Sequence, residues 1–423
     1  MKATFLFCWA SLALAGSTFA EAQWWKGNLH THTLWSDGDD YPEQIAKWYK
    51  DHGYNFLTLT DHNTLQTGER WIDVMKSRGG PPALAKYQAA WGNPPRARRW
   101  VQTRERNGRL EVRLKTLQEF RGRLEVPGKF LMIQGEEITD RWKTAPVHMN
   151  ATNLKTLIKP NGGNSVYDVM QRNMDALLAQ RKATGQPMFM HLNHPNFGWG
   201  VTAEELMRVK GEQFFEVYNG HPIVRDKGDK RHASTERMWD IILTRRLAEL
   251  KLGILYGLAT DDAHNYHGIN PKHSNAGRGW VMVRAEKLEA NALVAALEAG
   301  NFYASTGVTL NEVKRSPKMI SLTIAAEQGV EYTTQFIGTR KGYDKTHKPY
   351  TVASGAKLRV THQYSDDIGT VLATVKGKHA EYHLKGDEIY VRAKVTASKR
   401  VSNPRGYPEF QSAWIQPVRP RGR

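Results

Sequence analysis

The sequence predicts an α/β barrel followed by a small antiparallel β domain, and three observations lead to this fold class. Between residues 24 and 308, short apolar runs of strand length alternate with amphipathic helical segments, as they do in proteins with parallel strands. Five of these runs end in residue types that bind metal ions. After residue 309, apolar and polar residues alternate with a period of two, which is typical of half-buried antiparallel sheet.

Seven apolar runs predict the strands of the barrel, and this count favours a barrel over a doubly wound sheet. At the mouth of a parallel barrel, residues that follow successive strands meet even when they are far apart in sequence. Five runs, together with their metal-binding residue types, span 24–38, 56–63, 130–139, 188–195 and 254–264, and two further runs span 214–218 and 279–284.

Four amphipathic segments predict helices between these strands, and the first of them begins at a proline and stops before a glycine. The segments span 42–52, 166–184, 236–251 and 287–299. An arginine-rich insertion, 76–123, interrupts the alternation, and its polar character predicts an exposed helical excursion. It is interpreted either as a solvated surface helix or as a basic lid that binds polyanions over the barrel mouth.

Three runs near the C-terminus, 320–324, 357–364 and 388–395, show the period of two and are separated by turns that contain glycine. They predict a β-rich domain over 309–423, which ends in a basic tail that we expect to be flexible. The barrel domain is expected to span 23–308.

Residues 1–22 predict a signal peptide, because a lysine precedes a short apolar run and small residues follow it. We therefore expect export to the periplasm or to the medium. The apolar run is too short to span a membrane, and no later run is long enough. The one cysteine, Cys8, lies in this signal, so the mature chain is expected to use no thiol for metal binding or catalysis.

The chain has 423 residues and a formal net charge of +18, which favours anionic partners such as phosphate esters, nucleic acids or anionic surfaces. Glycine-rich phosphate loops and dinucleotide fingerprints are absent from the sequence. The basic insertion contains only Trp100 and Phe120 as aromatic residues between 96 and 123, which is a poor stacking platform for a nucleic acid. A small anionic or ester substrate is therefore the preferred partner.

Histidine and carboxylate residues at the ends of the first two strands predict a metal site. His30 and His32 are two residues apart, so both imidazoles point the same way from a strand. Asp37 follows in a turn that can fold back over the strand end. Asp61 and His62 end the next strand, where a buried charged pair needs a compensating cation.

The later strands add further candidate ligands. Only one of the adjacent residues Glu136 and Glu137 can enter the pocket, and the other is expected to face solvent. His148 follows on a returning apolar segment. His194, which precedes a proline, is preferred over His191, for which we expect a role behind the ligands or in the core.

Asp262 and His264 repeat the spacing of two residues seen in the first motif. Asp261 is then expected either to point away or to accept a hydrogen bond from a ligand histidine. Glu216 and Asn219 lie at the end of another predicted strand, and they either line the pocket or serve the fold.

Together these motifs resemble the polymerase-and-histidinol-phosphatase (PHP) superfamily, and within it the exported CehA/McbA-like metallohydrolases. The resemblance covers roughly residues 24–308 and implies a distorted seven-stranded (β/α) PHP barrel. It rests on HTH with SDG (30–38), TDHN (60–63), GEE (135–137), the following His148, NHP (193–195), EVYNG (216–220), DDAH (261–264) and GNFYASTG (300–307).

The resemblance implies nine ligands for two or three divalent ions, which would be Zn²⁺, Mn²⁺ or Fe. The first ion would be held by His30, His32, Glu137 and Asp262. Glu137 would bridge to a second ion, whose other ligands would be His148 and His194. A third ion would be held by Asp37, His62 and His264.

Such a cluster lowers the pKa of a bound water, so that a metal-bound hydroxide exists near neutral pH. Asp61 is the candidate catalytic residue, as a proton acceptor behind the ligands. Arg278 is the candidate substrate-binding residue, because a guanidinium can hold two phosphate oxygens at once.

The sequence thus predicts a metal-dependent hydrolase, with a phosphoester as the preferred substrate because the chain is basic and the superfamily includes phosphatases. The alternative is a carbamate or carboxyl-ester hydrolase on the same barrel, since the same hydroxide attacks either centre. A nuclease is a further possibility. The competing class is a non-catalytic exported binding protein with structural metals, which the completeness of the ligand set disfavours.

Overall fold

A computed structural model of the chain describes residues 21–92, 100–351, 355 and 358–420. The predicted signal peptide lies outside the described residues except for its last two positions, so export stays a prediction. Among the helices in the described ranges, none is long and apolar enough to cross a membrane.

The described part of the chain forms twenty-one strands and seven α-helices. The strands are β1 (Gln23–Asn28), β2 (Phe56–Leu59), β3 (Arg70–Asp73), β4 (Thr103–Arg106), β5 (Arg109–Leu114), β6 (Leu131–Trp142), β7 (Ala145–Thr152), β8 (Phe189–Leu192), β9 (Phe214–Asn219), β10 (Tyr256–Thr260), β11 (Trp280–Ala285), β12 (Phe302–Ser305), β13 (Leu310–Arg315), β14 (Met319–Ile324), β15 (Tyr332–Arg340), β16 (His347–Lys348), β17 (Gln363–Tyr364), β18 (Thr370–Lys376), β19 (His379–His383), β20 (Glu388–Arg400) and β21 (Phe410–Val418). The helices are α1 (Pro42–Asp51), α2 (Gly80–Trp91), α3 (Leu117–Leu124), α4 (Val166–Thr184), α5 (Ala203–Leu206), α6 (Thr235–Arg245) and α7 (Ala290–Glu298).

The four predicted helices are confirmed as α1, α4, α6 and α7. The 236–251 segment is α6 followed by a π-helical turn, Arg246–Leu250. Local signals set the ends of α4: the Ser165 side chain accepts a hydrogen bond from the Asp168 amide, and Gly185 ends the helix with a φ of 66°.

One thirteen-stranded mixed sheet dominates the fold, in the order β10-β9-β8-β7-β6-β2-β1-β11-β12-β21-β20-β15-β18. All seven predicted strands belong to it. Parallel pairing joins β1 to β2, β2 to β6, β8 to β9 and β9 to β10. The expectation of an all-parallel arrangement is wrong, because β7 returns directly from β6 as an antiparallel hairpin and β11 runs antiparallel to β1.

The chain beyond β10 folds back onto the chain beyond β1. The His32 amide donates to the Ala263 carbonyl at 3.0 Å, and the Asp262 amide donates to the His30 carbonyl at 3.1 Å. The curved sheet therefore meets itself at the ends of these two strands. The predicted count of seven barrel strands is not confirmed, since β7 adds a strand and the sheet continues past β11.

Alternation along the strands separates an apolar plug from a polar end of the sheet's concave side. Phe214 packs in an apolar cluster with Phe189 and Phe56. Two residues later along their strands, on the same side, come Glu216 and His191. The sequence pattern of the strands thus directs polar side chains to the carboxyl ends.

The C-terminal strands continue the same sheet, so the expected flexible tail is wrong over the described residues. Strand β21 pairs with both β12 and β20, and eight of its nine residues are buried. Run 388–395 is confirmed as part of β20 and run 320–324 as part of β14, whereas only residues 363–364 of run 357–364 form a strand. The boundary at residue 308 stays a prediction, although strands from both sides of it share hydrogen bonds.

The basic insertion is not the helical excursion that its composition predicted. Its described residues include α2, α3 and a three-stranded antiparallel sheet of β3, β5 and β4. Val112 and Leu114 of β5 are buried in a cluster with Trp35 and Tyr87. The insertion therefore packs against the barrel loops through its own apolar core, and residues 93–99 lie outside the described ranges.

Glu212, which precedes β9, gives a prediction for stability against pH. Its carboxyl group is fully buried, its Oε1 accepts from the Gln213 and Phe214 amides at 3.0 and 2.9 Å, and burial raises its pKa to about 8. The folded chain therefore holds this proton up to a higher pH than the unfolded chain does. The free energy of unfolding should fall as pH rises through the window from about 4.5 to about 8, by up to ~1.4 kcal/mol per pH unit.

Glu212→Gln should remove this contribution. Urea unfolding at pH 5.5 and pH 8 should give a smaller pH-dependent loss for the variant than for the parent chain. Glu331→Gln, at an exposed glutamate, is the control and should behave as the parent does. Equal losses for parent and Glu212→Gln would contradict the prediction.

Candidate metal centre

The structure brings the side chains of all nine predicted ligands into one cluster at the carboxyl ends of the strands. The backbones of His62 and Glu137 are bridged in parallel, and so are those of Thr31 and Ala263. These bridges align the segments that follow β1, β2 and β10. Potential ligand atoms lie within 4.8 Å of one another in four overlapping groups of these residues: His32, Asp37, His62 and His264; His30, His32 and Glu137; His30, His194 and Asp262; and Glu137, His148 and His194.

The innermost group has the spacing of ligands around a single ion. The Nε2 atoms of His30 and His32 are 3.1 Å apart, and each lies 3.2 Å from Oδ1 of Asp262. Oε2 of Glu137 lies 3.5 Å from the first nitrogen and 3.3 Å from the second. Four atoms that bind a tetrahedral ion at about 2.1 Å lie about 3.4 Å from one another, so these residues fit one divalent cation.

Glu137 faces two groups of histidines with its two carboxylate oxygens. Oε1 lies 3.0 Å from Nδ1 of His148 and 3.7 Å from Nε2 of His194, on the other side from Oε2. Burial raises the pKa of Glu137, but the neighbouring His62, His30 and His148 outweigh it and hold the pKa well below its ordinary value. The carboxylate is thus placed to bridge two cations.

Asp37 gathers the outer group. Its Oδ1 lies 3.3 Å from Nε2 of His264, 3.5 Å from Nε2 of His62 and 3.6 Å from Nδ1 of His32. The side chain of Asp37 is 35% exposed, whereas His30 and His32 are fully buried. The cluster therefore extends from the interior of the barrel to its mouth.

Histidine charge alone does not satisfy this cluster. Burial lowers the pKa of His30, but Asp262, Glu216 and Glu137 outweigh it and raise the pKa well above the ordinary value. Burial and the charges of His264 and His62 lower the pKa of His32 to about 3. A neutral imidazole thus faces buried carboxylates with a free lone pair, which is the environment of a metal ligand.

Glu216 is the polar centre behind the ligands, a role that the sequence left open. It is fully buried, and its Oε1 accepts from Nδ1 of His30 at 2.7 Å and from the Thr260 hydroxyl at 2.7 Å. Its Oε2 accepts from the His194 amide and from the Asn219 amide group, both at 2.8 Å. The bond to Nδ1 leaves Nε2 of His30 facing the other ligands.

Glu216→Gln should therefore weaken metal binding without unfolding the chain. Glutamine keeps the shape, but it loses the charge that orients His30, and changes of this kind cost about 10- to 100-fold in metal affinity. Competition with a chromogenic chelator would measure the affinity. Gln416→Glu is unsuited as a control because it is buried, so exposed Glu331→Gln serves again; equal affinities for both variants would contradict the assignment.

Asp61 does not face the cluster, so its predicted role as proton acceptor is wrong in this structure. Oδ1 accepts from the Thr33 amide and the Ser36 hydroxyl, both at 2.7 Å. Oδ2 accepts from the Thr33 hydroxyl at 2.9 Å and the Gln66 amide group at 2.8 Å. The carboxylate is saturated, and it fixes the loop that carries Asp37.

Arg278 does not reach the pocket either, which overturns its prediction as an anion clamp. The side chain is buried, with the residue 2% exposed. Its guanidinium donates to backbone carbonyls of Gly220 at 2.8 Å and His273 at 2.6 Å, and to Oδ1 of Asn403 at 3.3 Å. The group therefore ties three loops together and has little capacity left for a ligand.

Three neighbours of the ligands resolve choices that the sequence left open. Glu136 points away from the cluster as expected, but it is fully buried and does not face solvent; its Oε1 accepts from the Ile158 amide at 2.6 Å, and burial raises its pKa to about 8. Asp261 also points away, and it accepts from the Tyr49 hydroxyl at 2.8 Å. His191 is buried with Nε2 3.4 Å from Glu216, behind the ligands.

Asp262 has a strained backbone at the centre of the site. Its φ is 49°, in the left-handed region that residues other than glycine rarely adopt. Aspartate and asparagine tolerate this region better than other side chains do. The surrounding hydrogen bonds hold the conformation, and such strain is common at functional sites.

A pocket of about 220 Å³ opens over the cluster. Besides seven of the predicted ligands it is lined by Arg78, Phe197, His221 and Ile223, which the sequence did not single out. Nη2 of Arg78 lies 3.9 Å from Oδ2 of Asp37, and Phe197 and Ile223 add an apolar wall. The arginine enters from the basic insertion, whose charge was the one signal that could have pointed to it.

No protein-family model matches the sequence, and no curated protein matches it significantly. A two-domain protein from Bacteroides vulgatus that contains a predicted PHP-like metal-dependent phosphoesterase is similar in structure, with 15% identity, a TM-score of 0.40 and coverage of 94% of this chain and 96% of that one. An amidohydrolase from Chromobacterium violaceum has 14% identity, a TM-score of 0.27 and coverage of 57% of this chain and 88% of that one. Likenesses at this level leave the reaction to be argued from the site.

Proposed function

We propose that the chain is an exported, metal-dependent hydrolase that cleaves phosphoesters at a site for two or three divalent ions. The spacing of His30, His32, Asp262 and Glu137 carries this proposal, because it matches the ligand spacing around a tetrahedral ion. Nitrogen and oxygen ligands of this kind suit Zn²⁺, Mn²⁺ or Fe.

The residues of the chain have distinct tasks in this reaction. Bound cations would supply a water of lowered pKa and would offset charge on the phosphoryl oxygens. Glu137 is placed to join the inner and middle groups, and Glu216 orients His30 from behind. Asp37 is half-exposed at the mouth, so its group meets the incoming substrate.

The pocket favours a small anionic group over a bulky one. Its volume of about 220 Å³ is below that of pockets for drug-sized ligands, which start at about 300 Å³. Arg78 is the arginine that lines it, and this residue is 57% exposed at its side chain and can reorient. Its guanidinium can hold the phosphoryl oxygens that do not contact the cations.

Arg78→Met should raise the Michaelis constant for a phosphate monoester by about tenfold, because it removes a charge-assisted hydrogen bond. The Michaelis constant for a neutral carboxyl ester should not change. Arg106→Met, at an exposed arginine in β4 of the same insertion, is the matched control. An equal change with both substrates would show that the variant alters the pocket in general, and would remove Arg78 from anion binding.

The test of the function combines metal analysis with three substrates that share one leaving group. p-Nitrophenyl phosphate, bis(p-nitrophenyl) phosphate and p-nitrophenyl acetate report monoester, diester and carboxyl-ester cleavage. Two or three ions per chain and metal-dependent turnover of a phosphate ester are expected. Turnover of the acetate alone would instead favour the carboxyl-ester alternative, and a chain that binds no Zn²⁺ or Mn²⁺ would overturn the proposal.

A further inference from the structure

A second and larger cavity lies away from the metal cluster. It has a volume of about 650 Å³, against about 220 Å³ for the pocket over the cluster, and the two share no lining residue. Its walls come from β9, the start of α6 and the C-terminal strands β20 and β21, and they include Val217, Thr235, Thr396 and Ser412. The volume is that of an ordinary small-molecule site.

The acidic residues of this cavity are already paired with cations. Asp226 and Glu409 both accept from Arg405, the latter at 3.1 Å. Glu236 accepts from Lys394 at 2.5 Å. These pairs use up the negative charge of the wall.

Two further cations of the wall have no carboxylate partner within the described residues. Nζ of Lys227 lies 4.0 Å above the ring of Tyr407, and the guanidinium of Arg400 lies 3.8 Å above the ring of Phe410. Both residues are exposed at the rim. The cavity therefore has an excess of positive charge, which attracts an anion.

Two buried polar atoms in the wall have no hydrogen-bond partner in the described part of the chain. One is the acceptor Oδ1 of Asp226, a residue that is 6% exposed, and the other is the donor Nε1 of Trp414, which is 5% exposed. Buried polar groups are normally paired, so an orphan acceptor beside an orphan donor indicates a ligand with hydroxyl groups. Tyr218 and Trp414 also line the cavity, and their rings can pack against the C–H face of a sugar.

We infer that this cavity is a second ligand site, which binds a polyhydroxylated molecule with one anionic group, either a sugar acid or a sugar phosphate. The free cations Lys227 and Arg400 hold the anionic group at the rim. Asp226 and Trp414 pair with hydroxyl groups deeper in the cavity. This site does not depend on the reaction proposed for the metal cluster.

Calorimetric titration of the full, metal-loaded chain tests the inference. The probes are glucuronate, a non-hydrolysable phosphonate analogue of glucose 6-phosphate, glucose and inorganic phosphate. One molecule of glucuronate or of the phosphonate should bind per chain, and at least about tenfold more tightly than glucose or phosphate. The tighter of the two anionic sugars then identifies the anionic group.

The double variant Lys227→Met with Arg400→Met should weaken that binding at least about tenfold, and it should leave hydrolysis at the metal site unchanged. Trp414→Phe should weaken it as well, while Lys318→Met, at an exposed lysine elsewhere, is the control. The rim variant changes only exposed side chains, so a folding defect in Trp414→Phe would not affect the test. The inference is overturned if no anionic sugar binds, if glucose binds equally well, or if binding persists in the rim variant and is lost in Asp262→Asn.

Discussion

Asp262→Asn is expected to lower kcat/KM for a phosphate ester by at least about 100-fold, which corresponds to about 2.7 kcal/mol of transition-state stabilisation. Oδ1 of Asp262 lies 3.2 Å from both His30 and His32, so the inner group loses a charged ligand in this variant. Asparagine tolerates the φ of 49° at this position, and the fold should therefore be retained. Steady-state kinetics and metal analysis of the purified variant would measure the effect.

Asp366→Asn is the matched control for this variant, since it removes an exposed aspartate far from the cluster in sequence. It should keep the activity and the metal content of the parent chain. If Asp262→Asn also kept both, Asp262 would not be a ligand, and the inner group would need another arrangement.

Removal of the bound ions with a chelator is expected to lower the Tm by several degrees. Glu137, Asp262 and Glu216 are buried close together, and their charges need a counterion in the folded state. A ligand that binds only the folded chain stabilises it by about 2.7 kcal/mol when its free concentration is 100 times its Kd. Thermal unfolding before chelation, after chelation and after addition of Zn²⁺ or Mn²⁺ would show the loss and its recovery.

The same treatment of Asp262→Asn should cost less, because one of the buried charges is already gone. An unchanged Tm in parent chain that metal analysis shows to be free of ions would mean that the cluster is satisfied by protons alone. That result would argue against metals as structural elements, and it would leave catalysis to be tested separately.

Much of the ligand cluster could be predicted from the sequence because strand ends impose strict geometry. The spacing of two residues between His30 and His32, and between Asp262 and His264, places each pair on one side of its segment. The order of the strands then brings these pairs together. Strand β7 was harder to predict, since it returns from β6 through a turn at Lys143 that contains neither glycine nor proline.

The roles of Asp61 and Arg278 could not be predicted, because a motif does not show which hydrogen bonds a side chain already makes. Both residues are saturated by groups from other loops, and Asn403, which holds Arg278, lies more than a hundred residues away in sequence. Arg78 was missed for the opposite reason. Its position over the pocket depends on how the insertion packs, and its immediate sequence carries no signal of this.

The place of β21 in the sheet has a consequence for how the protein is made. This strand lies between β12 and β20, so the sheet remains incomplete on the ribosome until residue 418 has been synthesised. Until then the nascent chain presents the edge of β12 unpaired, and open edges pair readily with other chains. Pairing between strands so distant in sequence is also slow. A chaperone that shields this edge during synthesis would therefore improve the yield of folded protein.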